Sequence, residues 1–161
     1  SGRLCPGSGE RERKNHYRRF CIRHTKVKKA RATDGTNARL GTDDETNIGS
    51  AASDEQVYYR FELSAARFSA TWINAVNRCR NLADDGGGWR LPTLKEAILI
   101  YILWPELQQA GLTGVAGGTA TEAGGGGNSY PYVRYNDTGA IVLDAKNVST
   151  DRYFRCIRDL D

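Results

Sequence analysis

The sequence predicts an α+β domain in which two helices pack on an antiparallel sheet. Three observations carry that reading: apolar residues at helical spacing over residues 72–83, a capping signature opening a second helix at Thr93, and short aromatic or alternating stretches separated by turn residues. At 161 residues with 39% hydrophobic and 26% charged side chains, the chain suits one domain, or a small domain with an appended arm. The longest apolar run, residues 97–104, is far short of the roughly 20 residues of a membrane helix. Methionine is absent, so the chain is expected to begin at a processed or engineered end, with Ser1-Gly2 as a cleavage scar.

Charge divides the chain. Residues 1–31 hold 11 Lys/Arg against Glu10 and Glu12, whereas residues 32–161 hold 12 Lys/Arg against 17 Asp/Glu. A basic N-terminal arm, extended by a polar linker of Thr, Asp, Gly, Asn, Ser and Ala, is expected over residues 1–56, and the folded domain over residues 57–161. Order begins with Val57-Tyr58-Tyr59-Arg60-Phe61-Glu62-Leu63, which has the aromatic, alternating character of a strand. Trp72, Ala75, Val76, Cys79, Leu82 and Ala83 then define the apolar stripe of a helix, with Thr71 as N-cap and Asp84-Asp85-Gly86-Gly87-Gly88 as its end. Thr93-Leu94-Lys95-Glu96 is a capping box for a second helix that stops before Pro105. Being apolar nearly all round, this helix is expected to be buried on most sides. Eight of the 17 residues from 111 to 127 are glycine, which reads as a long surface loop. Residues 130–135 read as a strand, Asn136-Asp137-Thr138-Gly139 as a turn, residues 140–143 as the returning strand, and residues 152–157 as a last strand.

Thr71-Trp72-Ile73-Asn74-Ala75-Val76-Asn77-Arg78-Cys79-Arg80-Asn81-Leu82, Gly88-Trp89-Arg90-Leu91-Pro92-Thr93-Leu94-Lys95-Glu96 and Arg155-Cys156-Ile157-Arg158 resemble one family. It is the C-type-lectin-like C-terminal domain of bacterial surface adhesins and fimbrial tip proteins, and the resemblance covers about residues 57–161. It implies a C-type-lectin-like fold, with two helices on twisted antiparallel strands and long loops. It also implies a Cys79–Cys156 disulfide and a ligand met by the C-terminal half. Closing that loop stabilises by about 4–5 kcal/mol in the chain-entropy model. Arg90 is expected to fix the segment between the helices through carboxylate or carbonyl contacts. Where relatives carry Y-W-S-x-T-E, this chain has Gly117-Gly118-Thr119-Ala120-Thr121-Glu122, and where they carry W-x-V-x-F-x-x-G it has Pro131-Tyr132-Val133-Arg134-Tyr135-Asn136-Asp137-Thr138-Gly139. The scaffold residues are kept and the usual surface aromatics are not.

Residue type and spacing raise several further chemistries. Tyr135-Asn136-Asp137 is similar to the W-N-D element of calcium-binding lectins, but lacks an E-P-N-like partner, and a turn explains it better. Cys5, His16, Cys21 and His24 follow no zinc-finger spacing, so a Cys5–Cys21 disulfide is expected ahead of zinc or free thiols. The basic arm carries Tyr17 and Phe20 but no nucleic-acid fold signature, and such charge runs are most often solvated. The broader fold includes formylglycine-generating enzymes, the alternative reading. Residues 57–161 contain no histidine, and their two cysteines are expected to be bridged, so no enzyme activity and no cofactor is expected.

Composition adds one further signal. Randomising the adenines of an A-A-C codon, as diversity-generating retroelements do, cannot yield Lys, Glu, Gln, Met or Trp. Residues 111–161 contain only Glu122 and Lys146 from that set, against seven in residues 84–110. Variable proteins made by such elements commonly share this fold. The expectation is a secreted or surface-displayed bacterial recognition domain, an adhesin or a diversified variable protein, with fimbrial subunits as possible neighbours and a protein or glycan ligand. In the strand from Tyr130, alternation is expected to send Pro131, Val133 and Tyr135 inward and Tyr130, Tyr132, Arg134 and Asn136 outward to the ligand. Asp144, Asn147, Asp151, Arg152 and Tyr153 are their expected neighbours.

Overall fold

The computed structural model describes residues 2–9, 20–28, 57–124, 127–136 and 138–160. The linker expected over residues 32–55, His16 and Asp137 lie outside them. Among the described residues the architecture is α+β, with three α-helices and antiparallel sheets. A five-stranded sheet runs in the order β1 (Gly2–Leu4), β2 (Phe20–Lys28), β3 (Val57–Leu63), β9 (Ile157–Asp159) and β5 (Trp89–Arg90). Two short antiparallel pairs accompany it: β4 (Phe68–Ser69) with β8 (Tyr153–Phe154), and β6 (Ser129–Val133) with β7 (Ile141–Ala145).

The segment expected to be a basic arm instead contributes two strands to the main sheet. β2 pairs with β3 from Phe20↔Leu63 to Lys28↔Val57, and β1 pairs with β2 in turn. Phe20 and Ile22 are buried with Phe61, Leu63, Ile100, Leu107 and Ile157 in one of two apolar clusters. Net charge marked the segment as different, but its alternating apolar residues decide its place. Cys5 and Cys21 form a disulfide that ties the end of β1 to β2.

Helix α1 (Trp72–Asn81) buries Trp72, Ala75, Val76 and Cys79 of its predicted stripe, but it ends before Leu82 and Ala83, the latter exposed, and the Thr71 side chain makes no capping bond. Helix α2 (Leu94–Ile102) opens on the expected capping box. Thr93 Oγ1 accepts from the Glu96 amide at 3.2 Å, and Glu96 Oε1 accepts from the Thr93 amide at 2.9 Å. Its burial is one-sided, contrary to expectation: Glu96, Ala97 and Ile100 are buried, while Ile102 is 61% exposed. A short third helix, α3 (Trp104–Gln109), lies beyond the two that the sequence predicts; Pro105 is in its first turn, where a missing amide hydrogen costs nothing.

The described residues of the glycine-rich stretch 111–127 do not form the expected surface loop. Leu112 and residues 116–123 are buried, so most of the segment threads the interior. A side chain at Gly117 would collide with the Val133 carbonyl and one at Gly118 with the Phe154 ring. These glycines therefore permit close backbone approach and do not mark exposure. The expected last strand is split into β8 and β9, because the chain leaves β4 and joins β3 and β5 around Cys156. Cys156 is bonded to Cys79 of α1, with a Cα–Cα distance of 5.4 Å, inside the second cluster beside Trp72, Tyr130 and Phe154.

Arg90, expected to fix the segment between the helices, makes carboxylate and carbonyl contacts that join α2 to the sheet. Its guanidinium donates to both Glu96 oxygens at 2.7 Å, to both Asp159 oxygens at 3.1 and 2.8 Å, and to the Leu91 carbonyl at 3.1 Å. Burial disfavours its charge, but the two carboxylates outweigh that and hold its pKa above the usual value.

Candidate ligand-binding surface

The surface expected to meet a ligand is built on the β6–β7 hairpin and residues 146–153. Alternation in β7 and a tight turn create the hairpin. Asn136 Oδ1 accepts from the Thr138 and Gly139 amides at 3.1 and 3.0 Å, and the Ala140 carbonyl accepts from the Arg134 amide at 2.8 Å. Asn136 thus serves the turn.

The structure corrects the facing of β6. Tyr130 is 0% and Tyr132 5% exposed, both packed in the cluster with Trp72 and Phe154. Pro131 and Val133 are buried too, as expected, so β6 has no solvent face. Its other edge is occupied by the glycine-rich segment through the Gly118↔Tyr132 and Ala123↔Ser129 bridges. A strand enclosed on both edges and both faces cannot sort side chains by alternation. The Tyr130 ring lies 5.6 Å from that of Phe154, and its hydroxyl has no hydrogen-bond partner. Burial, with Asp144 adding to it, pushes this phenol well above its ordinary pKa. The Tyr132 hydroxyl accepts from the Tyr153 amide at 3.1 Å. Neither ring is placed to touch a ligand.

Of the other expected residues, Asp144 is also buried, between two arginines. Arg152 Nε lies 2.8 Å from its Oδ2, close as an ion pair but without the alignment of a directed hydrogen bond, and Arg134 Nη2 lies 3.9 Å from its Oδ1. Arg134 spreads its guanidinium 5.3 Å from the Tyr132 ring centroid, so it covers the aromatic it was expected to stand beside. Arg134, Asp144 and Arg152 therefore form one group at the surface. Asn136, Asn147 and Asp151 are exposed, and Asp151 takes a left-handed conformation with φ 56°. Tyr153 is half-buried and stands apart, beneath the Arg67 guanidinium at 3.9 Å.

The residues that sequence reasoning missed are apolar. Ile141, Leu143 and Val148 are 46%, 54% and 36% exposed, and with Ala145 the first two line the outer face of β7. Alternation in β7 carried the signal: Asp144 and Val142 share the inward face with Tyr130 and Tyr132, which turns Ile141 and Leu143 out.

Beneath this surface, Lys146 and Glu122 form a fully buried ion pair at 3.3 Å, with the ammonium 3.9 Å from the Trp72 ring centroid. Trp72 donates its backbone amide to the Lys146 carbonyl and its indole N–H to the Thr119 carbonyl, both at 3.0 Å. These contacts pin the glycine-rich segment and the end of β7 to the start of α1. All four cysteines are in disulfides. Among the described residues no helix is long and apolar enough to cross a membrane, and no group of three or more His, Cys, Asp or Glu residues is placed to hold a metal ion. Arginines, the carboxylates of Asp144 and Asp151 and an aliphatic stripe suit non-covalent contact. Comparison of the chain with family models, with curated proteins and with solved structures gave no match.

Proposed function

We propose that this chain is a non-catalytic ligand-recognition domain of C-type-lectin-like architecture. It works outside a bacterial cell, and its C-terminal surface is diversified by a retroelement. One observation carries the reading. The only two residues of 111–161 that a randomised A-A-C codon cannot reach, Glu122 and Lys146, pair with each other in the interior. Every exposed described position of that stretch, including Ile141, Leu143, Asn147 and Asp151, is of a type such a codon can reach. On this reading Glu122 and Lys146 belong to the fixed scaffold, and the exposed positions to the variable surface. Two disulfides favour an oxidising compartment. The Cys79–Cys156 bond is buried among aromatic residues, which disfavours a formylglycine-generating type of cysteine chemistry.

The binding surface of this proposal is the outer face of β7 with Arg134, Asn147, Asp151 and Arg152, and its ligand is a protein or glycan. Sequencing the DNA that flanks the gene tests it. The expected result is a reverse-transcriptase gene and a near-identical repeat, with differences that map to exposed positions such as Leu143 and Asn147. Without that pair the diversification reading falls, and an adhesin with a fixed surface remains.

A further inference from the structure

The motif Arg155-Cys156-Ile157-Arg158 places an arginine where the interior offers it no acid. Arg155 is 3% exposed, and no carboxylate pairs with it among the described residues. Its Nη2 donates to the Thr113 carbonyl at 2.7 Å and, at 3.4 Å, to that of Ala65. Its Nε and Nη1 are buried with no hydrogen-bond partner. Its guanidinium lies 5.7 Å from the Trp104 ring centroid, and Tyr135, whose ring is held edge-on against Tyr101 and the same Trp104, has a buried hydroxyl in the same condition. A second cation, Arg67, lies close enough to act on Arg155; it donates to the Val115 carbonyl at 2.9 Å. Burial pushes the Arg155 pKa down to about 10, with Tyr135 opposing and Arg67 adding to the fall, so the group is still a cation at neutral pH.

A guanidinium cannot escape burial by losing its proton, and removing one partner of a buried charge is ordinarily costly. Here the orphaned atoms are two N–H donors and one hydroxyl, next to two positive charges. An acceptor-only, negatively charged group satisfies both demands, whereas a neutral hydroxyl or a cation does not. We propose that Arg155, Arg67 and Tyr135 receive an oxyanion, the carboxylate or phosphate group of a ligand, beneath the segments 64–67 and 111–115. In these segments Ala65, Arg67 and Thr113 are exposed, whereas Arg155 itself is buried behind them. The inference does not rest on the recognition reading, because small anions alone test it.

Thermal unfolding of the full chain is followed at constant ionic strength in sodium chloride, with rising inorganic phosphate in one series and acetate in another. Tm is expected to rise saturably with at least one of them, and the anion that acts identifies the group. Arg67→Ala, at an exposed position, is expected to weaken the response about tenfold in midpoint concentration. Tyr135→Phe, which keeps the ring, is expected to weaken it several-fold. Failure of both anions to give a saturable rise overturns the assignment. So does a wild-type midpoint in both folded variants.

Discussion

Tyr130 and Tyr132 lie two residues apart on one strand, yet their hydroxyls stand in opposite circumstances. The Tyr130 hydroxyl is buried without a partner, whereas that of Tyr132 accepts from the Tyr153 amide. An unsatisfied buried polar group costs about 1–3 kcal/mol, and a typical hydrogen bond contributes about 1 kcal/mol. Tyr130→Phe is therefore expected to leave stability unchanged or raise it by about 1 kcal/mol. Tyr132→Phe, which orphans the Tyr153 amide, is expected to lower it by about 1–2 kcal/mol. Urea unfolding of the two variants checks this, and a larger loss in Tyr130→Phe contradicts the assignment of the orphan.

At the scale of elements, capping and close approach decide how much of each segment the sequence discloses. The start of α2 is legible because Thr93 and Glu96 bond each other's amides within one turn. The path of the glycine-rich segment is not, because the neighbours that require glycine are distant in sequence: Val133 at Gly117 and Phe154 at Gly118. Gly118→Ala is expected to destabilise by about 1–3 kcal/mol through overpacking against Phe154. A side-chain carbon at Gly86 would meet no atom within 4 Å, so Gly86→Ala carries only the cost of its left-handed φ of 93°. Thermal unfolding of the two variants reads both effects, and an unchanged stability in Gly118→Ala contradicts the buried path of residues 116–123.

For the whole molecule, the two disulfides act over different lengths of chain. Cys79–Cys156 spans 77 residues and Cys5–Cys21 spans 16. In the chain-entropy model the longer loop contributes about 4–5 kcal/mol and the shorter about 3 kcal/mol. Paired Cys→Ala replacements are expected to rank in that order, with values below these ideals because the open chain stays compact. Denaturant unfolding of each double variant gives the ranking, and a greater loss from Cys5/Cys21 contradicts it. The longer bond also holds α1 to the chain between β8 and β9, so its loss is expected to loosen the cluster around Trp72 and Phe154.

What the sequence determined by itself was local: the apolar stripe of α1, the capping box of α2, the turn at Asn136 and the class of fold. Each depends on residues within a few positions, whose spacing is fixed by the periods of helix and strand. The carboxylates that answer Arg90, and the lack of one beside Arg155 among the described residues, are not local facts. Nor is the burial of Tyr130 and Tyr132, which alternation alone placed outside. That burial depends on Trp72 of α1 and Phe154 of β8, which share one apolar cluster with the two tyrosines, and the incorporation of β2 depends on its pairing with β3. Only tertiary structure decided these, because burial is set by what chain-distant segments bring to the other side of a strand.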